Sequence, residues 1–212
     1  MLSILFGLGA ALSWGSGDFT GGLASRKTGA YRAVFYSEVF GVFLLFIILG
    51  ISGETFPNLR IWSLSMIAGA IGTVGLILLY QAMTLGLMSI SAPVSALLAA
   101  LIPVLVGSFR DGLPDALTFI GFGFALAAVW LVSQSEGGVK DILSHLSDLK
   151  LPLLAGIGFG LYFILMHEAT RTGATVWPML ASRTGGTILI AAFMFISRAS
   201  WKVEDSSAWS FL

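Results

Sequence analysis

The sequence predicts an all-α fold: a polytopic bundle of transmembrane helices, built as inverted five-helix repeats of which the second is incomplete. Three observations lead there. Hydrophobic residues make up 57% of the 212, and only 10% are charged, against about 25% in a soluble domain whose surface must be solvated. Glycine supplies 26 residues, roughly 12% against a usual ~7%, which suits helices packed closely in lipid. Apolar stretches of about 20 residues, enough to cross a ~30 Å hydrocarbon core, recur along the chain. The composition also excludes classes. Cysteine is absent, so disulfides, thiolate metal sites and cysteine nucleophiles fall away. Eleven Lys and Arg balance eleven Asp and Glu, which leaves no basic excess for nucleic acid.

Seven stretches qualify as spans. The first, 2–24, has no basic leader before its apolar run and reads as a permanent helix, not a cleaved signal. The others are 33–52, 61–83, 90–109, 117–135, 151–170 and 175–197. Barrel strands are excluded, since they would be about ten residues long with alternating polarity. Pro93 and Pro103 in span 4 and Pro178 in span 7 would free carbonyls and permit bends. Gly7, Ala11 and Gly15, like Gly156 and Gly160, follow the small-xxx-small spacing of helix packing. The longest connection, 136–150, carries Glu136, Lys140, Asp141, His145, Asp148 and Lys150. It separates a first unit, 1–135, from a second, 151–212. Loops after odd-numbered spans hold Arg26, Lys27, Arg32, Lys140, Lys150, Arg198 and Lys202; those after even-numbered spans hold Arg60, Arg110 and Arg171. The positive-inside bias therefore puts the odd loops in the cytoplasm and the N-terminus outside.

An internal repeat supports the two units. Thr28-Gly29-Ala30 returns as Thr172-Gly173-Ala174, 144 residues on, and Trp14-Gly15 as Phe159-Gly160, 145 on. At the 144 offset Gly41 falls on Gly185, and Trp62-Ser63 matches Trp209-Ser210 at 147. A unit of five spans is odd, so the second enters the membrane from the opposite side, an architecture of secondary transporters. Two such units make ten spans, and the sequence stops about where an eighth begins. The last two spans are therefore expected to be the less well ordered. Their faces at Gly156/Gly160 and Gly185/Gly186 would meet lipid unless a second copy or a separate fragment completes the bundle.

The residues of span 1 and its loop, Ala10-Ala11-Leu12-Ser13-Trp14-Gly15-Ser16-Gly17-Asp18-Phe19 running to Ser25-Arg26-Lys27, resemble the opening of EamA-like transporters of the drug/metabolite transporter superfamily. Tyr80-Gln81-Ala82-Met83, Gly86, Ala92-Pro93 and Pro103-Val104-Leu105-Val106-Gly107 are similar to the same family's third and fourth spans. Gly156-Ile157-Gly158-Phe159-Gly160 resembles the start of its second unit. The chain departs where many members place Gly-Glu after span 4: here Gly112 stands at the glutamate position, with Asp111 one residue earlier. That acid's role is not carried over. The resemblance implies ten helices, a cytoplasmic N-terminus (against the loop charges), residence in the plasma or inner membrane, and movement of a small organic solute by alternating access.

Ionisable groups inside spans are expensive in hydrocarbon and mark functional positions by default. Asp18 lies about two turns inside the end of span 1 and Glu38 near the start of span 2, so Asp18 is the deeper. One reading has both carboxylates reach the interface and pair with Arg26, Lys27 and Arg32. The other makes them a proton-exchanging or cation-attracting group in a wet cavity. Arg183, about two turns into span 7, lies beside the repeat equivalent of Glu38, where it either holds an anionic solute in a bidentate pair or pairs with a neighbouring acid. Trp14, Tyr80, Gln81 and Tyr162 suit a pocket for a polar organic metabolite, although Trp and Tyr near span ends also anchor at interfaces. His167 and Glu168 end span 6 at the headgroups. With no other His in a span, a metal site has too few ligands, and no cofactor is implied.

Two enzyme-like or receptor-like readings fail on missing groups. Gly15-Ser16-Gly17-Asp18 spells the string of intramembrane aspartyl proteases, but that chemistry needs two carboxylates sharing a proton, and no second Asp lies in a span. Span 7 has no lysine for a retinal Schiff base. A non-transporting scaffold or an inert shortened product stands as the alternative to a carrier.

Overall fold

The computed structural model describes residues 2–85, 88–133, 149–171, 173–203, 207–208 and 211. Of the sequence features above, 136–148, Gly86, Thr172, Trp209 and Ser210 lie outside the described residues. Seven helices follow in order: α1 (Leu2–Thr28), α2 (Ala30–Ser52), α3 (Leu59–Thr84), α4 (Met88–Asp111), α5 (Ala116–Ser133), α6 (Lys150–Thr170) and α7 (Val176–Ile196), with no strand among the described residues. Helices α2, α3, α4, α6 and α7 are long and apolar enough to cross a membrane, while α5 contributes the shorter apolar stretch Ala116–Ala128. Helix α1 is long, but Asp18, Arg26, Lys27 and its many Gly and Ser residues dilute its apolar character.

Helices α1 to α4 run past their apolar stretches. Hydropathy marks only hydrocarbon, whereas the backbone ladder continues because a broken turn near the membrane leaves amides unsatisfied. At the end of α1, Ser25 and Thr28 donate back to the Gly22 and Ala24 carbonyls at 2.7 and 2.9 Å. A single residue, Gly29 with φ 87°, then turns the chain into α2. Asn58 accepts from the Ile61 amide at 2.9 Å and so caps α3; Asp115 does the same for α5 through the Thr118 amide at 2.8 Å.

Helix α3 occupies the centre. Helices α6 and α7 pack on it, α2 lies along α7, α4 along α6, α5 outside α4, and α1 against α2 and α3. Small residues on α3 set this arrangement. A methyl on Gly69 would strike the backbone of Ser182, and one on Gly75 would lie 3.0 Å from the Ala155 carbonyl oxygen. In return a methyl on Gly158 would meet the Gly75 Cα at 3.2 Å. The expectation that Gly156/Gly160 and Gly185/Gly186 face lipid is therefore corrected. Methyls there would run into Leu98 and Ser95, Ile102, the Met66 backbone, and Thr73 with Glu38. The first unit already offers complementary small faces on α3 and α4, so the last two helices are among the most enclosed. Bare glycines lie instead on α1 and α5, where methyls on Gly7, Gly9, Gly15, Gly17, Gly121 and Gly123 meet nothing within 4 Å.

Antiparallel α2 and α7 are tied at both ends. The Glu54 carboxylate, just past α2, accepts from the amides of Thr175, Val176 and Trp177 at 2.9–3.2 Å, and Trp177 Nε1 donates to the Glu54 carbonyl at 3.0 Å. A helix start leaves four amides without partners. Glu54 takes three, and the fourth position is Pro178, which has no N–H. Pro178 thus sits in a first turn, where no carbonyl is freed and no bend follows, contrary to the sequence expectation; Pro93 and Pro103 do lie inside α4. At the opposite end Arg32 Nε donates to the Ser200 carbonyl at 2.7 Å and the Tyr36 hydroxyl to the Trp201 carbonyl at 2.9 Å, with Phe35 edge-on to Trp201.

Candidate functional site

A cavity of about 540 Å³ opens among α1, α2, α3, α4, α6 and α7. Its size falls within the roughly 300–1,000 Å³ of small-molecule sites. Of the seven residues singled out from sequence, Trp14, Asp18, Glu38, Tyr80, Tyr162 and Arg183 line it. Gln81 does not. Its amide donates to the Tyr31 hydroxyl at 2.7 Å, because the residue after Tyr80 is turned about 100° around the helix and points elsewhere.

The local sequence explains how each group reaches the space. Trp14 and Asp18 are four apart on α1 and share a face. Tyr80 comes from α3 and lays its ring across Gly21, where a side chain would collide with the phenol; its hydroxyl lies 3.5 Å from the Gly17 carbonyl. Trp14 stacks on Phe163 of α6 (centroids 5.3 Å, planes 26° apart), and Phe163 meets Tyr162 edge-on at 5.3 Å. These rings form one aromatic wall from α1 to α6. Opposite, the alanines of α4 (Ala92, Ala96, Ala99, Ala100) leave room that larger side chains would fill.

The charges pair across helices: of the two readings of Arg183, the pair with an acid on a neighbouring helix is the one formed. Glu38 is the most enclosed carboxylate, 4% exposed. Its Oε1 accepts from Thr73 Oγ1 at 3.0 Å, and its Oε2 faces Arg183 Nη1 at 3.2 Å, within ion-pair range though misaligned for a hydrogen bond. Gly41 gives the arginine passage, since a methyl there would sit 3.2 Å from its Cδ and Nε. Asp18 is half-buried and has no hydrogen-bond or ion-pair partner among the described residues. So Glu38, not Asp18, is the deeper acid within the protein. The pairing of either with Arg26, Lys27 or Arg32 is also corrected. Arg26 donates to the Met83 carbonyl at 3.2 Å, Lys27 to Ser207 Oγ at 2.7 Å, and Arg32 to the Ser200 and Thr28 carbonyls. The helix-end cations are held by neutral oxygens, carbonyls for the two arginines and a hydroxyl for Lys27, while Arg183 reaches Glu38 directly across the α2–α7 contact. Glu168 does lie exposed at the end of α6, paired with Arg171 at 3.2 Å.

Sequence reasoning passed over Thr73, Ser95 and Phe163. A threonine in mid-span was a signal for the first. Phe163 carried none, because its partner Trp14 lies on a helix made far earlier.

Of three comparisons with known proteins, one bears on what such a cavity serves. Residues 1–134 match the model of the EamA-like transporter family. No curated protein and no solved structure matches the chain.

Proposed function

Because the chain belongs to the EamA-like transporter family, and is a multi-pass helical membrane protein, we propose that it is a secondary carrier of the cell membrane. It moves a small organic solute by alternating access, with the solute seated among α1, α3, α4, α6 and α7. The observation that supports this reading is the cavity itself: apolar and aromatic walls around Asp18 and the Glu38–Arg183 pair, in helices long enough to cross lipid. Charged groups at such depth belong where water or a solute reaches them. The division into a first unit, 1–135, and a second from 151 belongs to the same proposal. A cavity where helices of both units meet is where an inverted-repeat carrier places its site. Alternating access then moves one unit against the other, and the close α3–α6 and α3–α7 contacts are the surfaces that slide or part.

The test is uptake of a panel of labelled small organic solutes by cells making the protein, beside cells making an Ala96→Trp form. Ala96 lines the cavity from α4, and an indole there takes up part of the space while leaving every charged group in place. At least one solute should show saturable uptake that the substitution lowers by about tenfold or more. Equal uptake in both, with both in the membrane, would refute a solute site in this cavity. No uptake of any solute would favour a non-transporting role.

A further inference from the structure

We infer, resting on that reading, that the cavity takes an organic monocation, its charged head at Asp18 and its apolar body against the wall of Trp14, Phe163 and Tyr162. Three ionisable side chains of fixed sign line the space: Asp18, Glu38 and Arg183. Glu38 and Arg183 neutralise one another at 3.2 Å, with Thr73 donating to the same carboxylate. The remainder is one negative charge, on a carboxylate without a partner among the described residues. Within a membrane an uncompensated carboxylate costs several kcal/mol or more, and a cation in the cavity removes that cost.

The wall beside Asp18 selects the kind of cation. Trp14 lies one helical turn from Asp18, and its indole is continuous with the Phe163 ring. A substituted ammonium resting between the carboxylate and an indole face is held by both the charge and the ring quadrupole. An inorganic cation would prefer a close shell of several charged or carbonyl oxygens, whereas this lining adds to Asp18 mainly carbon and scattered hydroxyls such as Ser13 and Ser95. An anion is disfavoured twice. It would face Asp18, and the charge of Arg183 is already balanced by Glu38. A zwitterion meets the second obstacle through its carboxylate. Tyr80 and Tyr162 also face the space, and their hydroxyls leave the charge count unchanged.

The experiment is equilibrium dialysis of labelled benzyltrimethylammonium against the full chain in an uncharged detergent. Its charge is permanent, so protonation does not confuse the result. Saturable binding is expected, displaced by unlabelled cation, with phenylacetate, benzyl alcohol and phenylalanine weaker competitors by about tenfold or more. Asp18→Asn should weaken binding by at least about tenfold, and Asp18→Glu by less. Trp14→Ala should cost roughly three- to tenfold, as loss of one cation–π contact does. A Glu168→Gln/Arg171→Gln double variant, which removes an exposed ion pair outside this cavity and keeps the net charge, should bind as the parent does. Thermal melts of each variant identify any that fail to fold, and the conservative Asp18→Glu form then carries the comparison. Undiminished binding to Asp18→Asn would overturn the inference, as would phenylacetate or phenylalanine outcompeting the cation. Failure of uptake with intact binding would instead remove the carrier reading and leave this one standing.

Discussion

Arg183 and Glu38 show how a single charged residue is tolerated inside this bundle. Breaking a buried pair strands the surviving charge, at about 3–5 kcal/mol. The Arg183 side chain is 42% exposed, so Arg183→Ala should sit at the lower end, about 3 kcal/mol, in thermal or denaturant unfolding in detergent. Adding Glu38→Gln to it should recover part of the loss; a double variant as unstable as the sum of both singles would mean that the two side chains do not interact. Glycine positions allow a second test. Gly69→Ala drives a methyl into the Ser182 backbone, which cannot yield, and should cost about 1–3 kcal/mol. Gly15→Ala meets open space and should change stability by less than about 0.5 kcal/mol. Equal effects would contradict the α3–α7 packing. At this scale the sequence was legible where a residue conflicted with its surroundings. Asp18, Glu38 and Arg183 stand out as charges in apolar runs. That Arg183 could pair with an acid on a neighbouring helix was legible, but which acid was not, because Glu38 and Arg183 come from helices far apart in the chain, and proximity in sequence suggested the wrong cations for Glu38.

The helices themselves were legible almost throughout, since a hydrocarbon core imposes a length and a composition that can be counted. Their ends were less so. Glu54 belongs to no helix, yet it caps the start of α7 from more than a hundred residues away, and no local pattern announces it. Burial alone would raise its carboxyl, but the three backbone amides outweigh that and hold it below the usual carboxylate range. A carboxyl depressed in the folded state stabilises above its unfolded pKa and loses that contribution as pH falls through its folded value. Glu54→Gln should therefore lower the melting temperature at neutral pH, and the gap from the parent should close as the medium is acidified to about pH 3. The contribution should stay below about 1 kcal/mol, because the group is reached by solvent and its charge is screened. A gap that widens on acidification would contradict the capping role.

For the molecule as a whole, sequence identified a membrane bundle but inverted its order of importance. Helices α6 and α7, taken from sequence as poorly supported, bracket α3, whereas the first half of α1 and all of α5 lie at the edge. Amide exchange in detergent should be slowest in α3, α6 and α7 and fastest in Leu2–Gly15 and Ala116–Ser133; protection greatest in α1 would reject this arrangement. Periodicity could not reveal it, because small residues line several helices and only the fold decides which ridges meet. The central place of α3 also bears on biogenesis. A ribosome releases residues 59–84 long before 150–196, so α3 enters the bilayer with its Gly69–Gly75 ridge unmatched. Until the later helices arrive, that ridge is open to any small-faced neighbour, including another nascent chain. The centre of this protein is thus made before the helices that enclose it, and a chain stalled near residue 133 would hold a core helix still without its cover.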